Sequence, residues 1–374
     1  KATTTDDARE EQLRSEFMIA MKNKQALEAQ LESSLYANTS TTTDTATTNT
    51  STKEEFGVMF QSDGDIIDDI TTTDTKKTGL DLLEDLKKGK ELKAINHNTM
   101  QYLPFRKNLY IVPKSISKLS NEGIKTKREE LNIKVRGRRC PAPIDTWSQC
   151  GLSERILDVL KIHKLNAPFA IQQQAIPALM SGRDVIAVAK TGSGKTLAFL
   201  LPLFRHILDQ PPLTIGDGPI GLIMAPAREL AFQLRNEAKK FCSHLGLTVT
   251  CIYGGVGVAE QIAELKRGTE LVVCTPGRMI DILTMQNGKI MPLKRITMVI
   301  LDEADRMFDM GFEPQIRMII QNIQPTRQTV LFSATFPKQI ETLAKNILTH
   351  PLEIIVGERS CVNIDVMQYA EVHE

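Results

Sequence analysis

Seven short apolar runs in the second half of the chain constrain its fold more than any other feature. They are "DVIAVA" (184–189), "IGLIMA" (220–225), "TVTCIY" (248–253), "LVVCT" (271–275), "MVILD" (298–302), "TVLFSAT" (329–335) and "EIIV" (353–356). A strand that is apolar on consecutive residues offers no polar face to water, so it must be covered on both sides, as in a parallel sheet. Between the runs lie stretches with helical spacing, such as "SERILDVLKIHK", where Ser153 stands at the N-cap position. Strand, helix and strand in repeated alternation predict one doubly wound α/β domain with helices on both faces, over residues 141–358.

The chain ahead of that domain has another character. Residues 1–38 carry Leu13, Phe17 and Met21, and again Leu27, Leu31 and Leu35, each set at a four-residue step, which predicts one helix, either leaning on a partner or exposed to solvent. Residues 39–79 read as a disordered linker: 39–52 alone hold nine threonines and almost nothing to bury. Residues 80–140 read as an extended arm with short helices. The net charge of +1 conceals two blocks: ten Asp/Glu against two Lys in 54–85, and nine Lys/Arg against three Glu in 112–140. Such blocks are either docking surfaces, for a protein and for a phosphate backbone, or two solvated segments. Cys140, Cys150, Cys242, Cys251, Cys274 and Cys361 form no CxxC pair and no Cys/His cluster, so reduced, mostly buried thiols of an intracellular protein are expected. No apolar run approaches the ~18 residues of a membrane span, and the N-terminal stretch lacks the apolar core of a secretion signal.

The first run ends in Ala189-Lys190-Thr191-Gly192-Ser193-Gly194-Lys195-Thr196, which then opens a helix. This is the context of a phosphate-binding loop, with Ala189 where the general pattern has glycine. Gly192 and Gly194 allow successive N–H groups to turn inward. The helix start adds partial positive charge. Lys195 can reach the β- and γ-phosphates of a nucleoside triphosphate, and the Thr196 hydroxyl can ligate Mg2+. The matching carboxylate is Asp302, 107 residues after Lys195 at the end of an apolar run, where its charge needs a cation, reached partly through water. Glu303 is placed to orient or deprotonate an attacking water.

With "DEAD" (302–305) in that position, the chain resembles the DEAD-box RNA helicases from about residue 100 onward. The resemblance implies a RecA-like P-loop domain, ATP and Mg2+ as cofactors, and RNA as a ligand. "IQ" (171–172) is similar to the adenine-reading segment, with Gln172 on the base, Trp147 at an upstream aromatic position and Leu165 beneath the adenine. "APARELA" (225–231), "GG" (254–255) and "TPGR" (275–278) resemble segments that track RNA, which assigns that role to Pro226, Arg228, Glu229, Gly254, Gly255, Thr275, Pro276, Gly277 and Arg278. Amides at helix starts and guanidinium groups grip phosphates without reading bases, so sequence-nonspecific binding is expected. "SAT" (333–335) resembles the segment linking hydrolysis to RNA handling, which adds Ser333 and Thr335 to Lys195, Asp302 and Glu303 as catalytic residues.

The chain also departs from the family pattern. Lys164, Leu165 and Phe169 stand where a glycine, an aromatic and a hydroxyl residue are usual, and Ala227 replaces a threonine. Residues 359–374 are read as the linker to a second domain of the same kind, which makes the chain a fragment, loose in nucleotide binding and poor in hydrolysis. "YLPFRKNLY", "VRGRRCPAPIDTWSQCGL" and "DEADRMFDMGFEPQI" are similar to spliceosomal members that act when the U2 small nuclear ribonucleoprotein engages the branch site. That resemblance implies a nuclear helicase of mRNA splicing whose N-terminal arm docks on U2 proteins. Two alternatives stay open: another nuclear helicase of the same subgroup, and an ATP-timed placeholder whose strand separation is incidental.

Overall fold

A computed structural model describes Leu92, residues 94–214 and residues 216–357. The predicted helix at 10–37, the threonine-rich and acidic linker, Cys361 and the segment 359–374 lie outside these residues. The expected doubly wound architecture is present. Strands β1 (Ile133–Arg136), β2 (Val185–Ala189), β3 (Gly221–Met224), β4 (Val249–Ile252), β5 (Leu271–Cys274), β6 (Met298–Leu301), β7 (Gln328–Ser333) and β8 (Leu352–Val356) form one sheet in the order β1-β8-β2-β7-β6-β3-β5-β4. All neighbours are parallel except β1 on β8. The seven apolar runs account for β2 to β8. Their ends differ from the expectation by a residue or two, because residues such as Ala225 and Asp302 still donate ladder-like bonds while their chains turn away.

The helices, in order, are α1 (Lys114–Ser117), α2 (Asn121–Glu130), α3 (Glu154–Ile162), α4 (Ala170–Met180), α5 (Lys195–Leu208), α6 (Arg228–Leu245), α7 (Val258–Arg267), α8 (Pro276–Thr284), α9 (Ala304–Asp309), α10 (Glu313–Gln321) and α11 (Lys338–Ile347). The strands alternate their side chains between two cores, as period-two geometry demands. Ala187, Ile223, Val273, Ile300 and Phe332 pack under α3 to α6. Ile186, Leu222, Val272, Val299 and Leu331 pack under α8, α10 and α11. Ser153 does precede α3, but its side chain makes no cap bond.

The arm read at 80–140 is continuous with the domain. Its "IKVR" segment, Ile133–Arg136, is strand β1, antiparallel to β8, and only Ile133 on it is fully buried. Helix α2 is fastened by Arg128, which donates to Gln174 Oε1 and to the carbonyls of Cys140 and Pro141. Further upstream a strap crosses the foot of the sheet, at the amino ends of its parallel strands. Ile95 N–H donates to Asn322 Oδ1, and His97 Nε2 donates to the Gln321 carbonyl. Arg106 grips both carboxylate oxygens of Asp209, Lys107 donates to the Arg327 carbonyl, and Leu109 N–H donates to the Met180 carbonyl.

Under this strap Phe105 packs edge-on to His206, ring centroids 5.5 Å apart. His206 Nε2 and Gln210 Nε2 both meet the Thr297 hydroxyl at 2.8 Å. Burial pushes the His206 imidazole down to about 4, against the pull of Asp209 and with the repulsion of Lys107. The unfolded chain takes up this proton near pH 6.5. The stability contributed by neutral His206 is therefore complete above about pH 6.5 and lost as pH falls toward 4, a decline of about 3 kcal/mol. Urea denaturation at pH 7 and pH 4.5 should show that decline, and His206→Gln should flatten it.

Candidate nucleotide and nucleic-acid site

The carboxyl ends of the parallel strands share one edge of the sheet, and the motif residues stand along it in two adjacent groups. Over β2, β7 and β6 lies the loop Ala189–Thr196 with Asp302, Glu303, Ser333 and Thr335. Over β3, β5 and β4 lie Pro226–Glu229, Thr275–Arg278 and Gly254–Gly255.

Gly194 precedes α5 with φ of 87°, a conformation side chains resist. A Cβ at Gly194 would lie 2.6 Å from Gln172 Nε2 and 2.7 Å from Phe169 Cδ2, so glycine is needed on two counts. The polar groups of the loop are engaged with one another. Buried Lys195 donates from Nζ to the Ala189 carbonyl at 3.0 Å, and Ser193 Oγ donates to the Lys190 carbonyl at 2.8 Å. Gln172 is 1% exposed; its Oε1 accepts from Phe169 N–H at 2.8 Å and its Nε2 donates to the Gly194 carbonyl at 2.9 Å. The amide keeps a second N–H and a second lone pair for a base edge. Thr191 and Gly192 are exposed at the mouth, and Thr196 is half-buried in the first turn of α5. Trp147 is buried and donates its indole N–H to the Leu165 carbonyl at 2.8 Å, so it acts by fixing the backbone of Leu165.

Across the loop Asp302 is 4% exposed. Burial pushes its carboxyl up to about 6; the Lys195 ammonium opposes this, and Glu303 adds to it. A desolvated carboxylate beside a phosphate cradle is short of positive charge, which fits Mg2+ held by Asp302 and Thr196. Glu303 sits at φ 51°, ψ 51°, in the left-handed region that non-glycine residues avoid, and accepts from Arg306 Nη1 at 3.1 Å. Strain of this kind costs roughly 1–3 kcal/mol and concentrates at functional positions.

Asp305 was missed as a site residue in the sequence, although the structure gives it a central place. Its Oδ2 accepts the N–H of Thr335 at 2.8 Å and its hydroxyl at 2.9 Å, and its own N–H donates to Ser333 Oγ at 3.3 Å. Burial would push the Asp305 carboxyl up, but the donors of Thr335 and Ser333 outweigh it and hold it below the usual range. The third acid of "DEAD" thus ties the end of β6 to the end of β7. The available clue was its place on the first turn of a helix, three residues after a strand-end carboxylate.

In the second group two guanidinium groups converge on one turn. Arg228, the first residue of α6, brings Nη1 to 2.9 Å from where a Cβ on Gly255 would stand. Arg278, in the first turn of α8, donates from Nη2 to the Val256 carbonyl at 3.3 Å. Gly255 has φ of 85°, which suits the turn. Thr275 caps α8 without a side-chain cap bond, and Pro276 occupies the first turn. Arg228 also pairs with Glu229 at 2.6 Å, an exposed contact of small energetic value. Two helix N-termini, two cations and a glycine turn make a surface suited to a sugar–phosphate backbone.

A family model described as DEAD/DEAH box helicase matches residues 169–343. The chain belongs to the DEAD-box helicase family. DEAD-box ATP-dependent RNA helicase 42 of Arabidopsis thaliana is 59% identical over 76% of this chain and 24% of its own length. The chain therefore spans about a quarter of that relative. The solved yeast DEAD-box splicing factor Prp28 aligns with a TM-score of 0.62 and 32% identity over 66% of this chain and 58% of its own. Prp28 from Chaetomium thermophilum, solved bound to ADP, aligns with a TM-score of 0.60 and 38% identity over 66% of this chain and 59% of its own.

The five cysteines among the described residues are free, four of them buried. Burial pushes the thiol of Cys140 up to about 11 and those of Cys150, Cys242 and Cys251 up to about 12, which makes them poor nucleophiles and ligands. Among the described residues no cluster of His, Cys, Asp and Glu could hold a metal by itself, and no helix is long and apolar enough to cross a membrane.

Asp305→Asn should cost roughly 2 kcal/mol, the scale of hydrogen bonds to a charged acceptor. Chemical denaturation of the variant beside the unmodified protein measures it, and an unchanged midpoint would remove Asp305 from its place as the tie between β6 and β7.

Proposed function

We propose that the protein is an ATP-dependent RNA helicase of pre-mRNA splicing, acting in the nucleus as the U2 small nuclear ribonucleoprotein engages the intron branch site. One observation carries the enzymatic part of this reading. A phosphate cradle and a backbone-gripping turn stand side by side on one sheet edge, and Asp305 links the strand between them to Ser333 and Thr335. Its family membership and the naming of a solved relative as a splicing factor support the wider role. The U2 assignment rests on the local wording of residues 102–110 and 135–152, and docking on U2 proteins falls to the N-terminal arm.

In this reading ATP lies in the loop Ala189–Thr196. Lys195 leaves the Ala189 carbonyl to meet the β- and γ-phosphates, and Gln172 reads the base edge with its second N–H and second lone pair. Mg2+, when bound, neutralises phosphate charge and orients the phosphates. Glu303, held in its left-handed conformation and steadied by Arg306, takes the proton of the attacking water. Arg228 and Arg278 hold the RNA backbone without reading sequence.

Lys195→Ala should lower RNA-stimulated ATP turnover by roughly two orders of magnitude or more. Ribo-oligomers should stimulate turnover where deoxyribo-oligomers do not, and equal stimulation by both would exclude an RNA helicase. Glu303→Gln separates strand separation from timed occupancy. Both readings require hydrolysis to fail, but only the placeholder predicts assemblies stalled with the variant still bound.

A further inference from the structure

We propose that the ring of Phe169 forms one wall of the nucleobase pocket and sets how tightly the base is held; this rests on the reading of Ala189–Thr196 as a nucleotide cradle. Phe169 is 62% exposed, more than any other described phenylalanine. It precedes α4 at a position usually filled by a capping side chain, yet makes no side-chain cap bond. A large apolar ring gains nothing by facing water there.

Its surroundings supply a use. The Phe169 N–H is pinned by Gln172 Oε1 at 2.8 Å, and the Gln172 Nε2 rests on the Gly194 carbonyl at 2.9 Å. The ring stands beside the same glycine, with Cδ2 2.7 Å from where a Cβ would be. An aromatic face, an amide with one donor and one acceptor, and the last residue before the phosphate-binding helix therefore converge within a few ångströms. A nucleobase needs this pair of features, a flat apolar contact for its face and hydrogen-bonding groups for its edge. Leu165, held in place by Trp147, offers an aliphatic surface but no ring. Phe169 is the aromatic surface that a base tethered to phosphates at Gly194–Thr196 can reach.

The test separates the base from the phosphates. ADP with Mg2+, and inorganic tripolyphosphate with Mg2+, are titrated calorimetrically into the unmodified protein, Phe169→Ser, Phe169→Tyr and Lys195→Ala. Phe169→Ser should weaken ADP about ten-fold, the scale of base–aromatic stacking, and leave tripolyphosphate unchanged, while Phe169→Tyr should keep ADP affinity. Lys195→Ala should weaken both ligands. Equal losses of ADP and tripolyphosphate in Phe169→Ser would show that the ring only shapes the loop, and unchanged ADP affinity would remove it from the site; either result overturns the proposal. Failure of the unmodified protein to bind either ligand would instead overturn the cradle, and the proposal with it.

Discussion

Two-sided burial of the parallel strands is the constraint from which the rest of the molecule follows. β2, β3, β5 and β6 are buried at every residue, so none can present a functional group along its length. Chemistry can appear only where a strand ends and its chain turns toward a helix. Because the strands run the same way, those ends line one edge, and because β6 neighbours β3, the nucleotide loops and the cationic turns become adjacent. Proximity between the two groups is a product of strand order.

Beyond adjacency, polar contacts at the strand ends connect the two halves. Asp305 and Ser333 bind the β6 and β7 loops together. Asp302, one residue past β6, donates its N–H to the Met224 carbonyl at the end of β3, next to the chain that leads to Arg228. Hydrogen bonds thus run without a break across the ends of β7, β6 and β3. Glu303 sits beside these contacts in a strained backbone conformation, and the residues that follow it, Ala304 and Met307 among them, are buried in the core.

Much of this was legible in the sequence because strongly apolar runs and a glycine-rich loop have few physical interpretations. Strands β2 to β8 and the placement of Lys195 and Asp302 followed from runs and turns, whereas Arg228 and Arg278 followed from the resemblance to the DEAD-box helicases. β1 did not, because "IKVR" at a sheet margin alternates apolar with charged residues and is stabilised by pairing with β8, a partner more than 200 residues away. The strap did not either, since its contacts to Asn322, Gln321 and Asp209 are made by polar atoms with no periodicity to betray them. Asp305 was overlooked because one-dimensional reasoning about acids looks for metals and water, whereas its partners are two hydroxyls and an amide on another strand.

The loop's internal bonds carry a further consequence. Lys195, Ser193 and Gln172 already hold carbonyls of the loop itself, so these groups have partners before any nucleotide arrives. Each group that a departing ligand frees has an intramolecular partner waiting, so the empty loop strands none of these three side chains without a hydrogen bond.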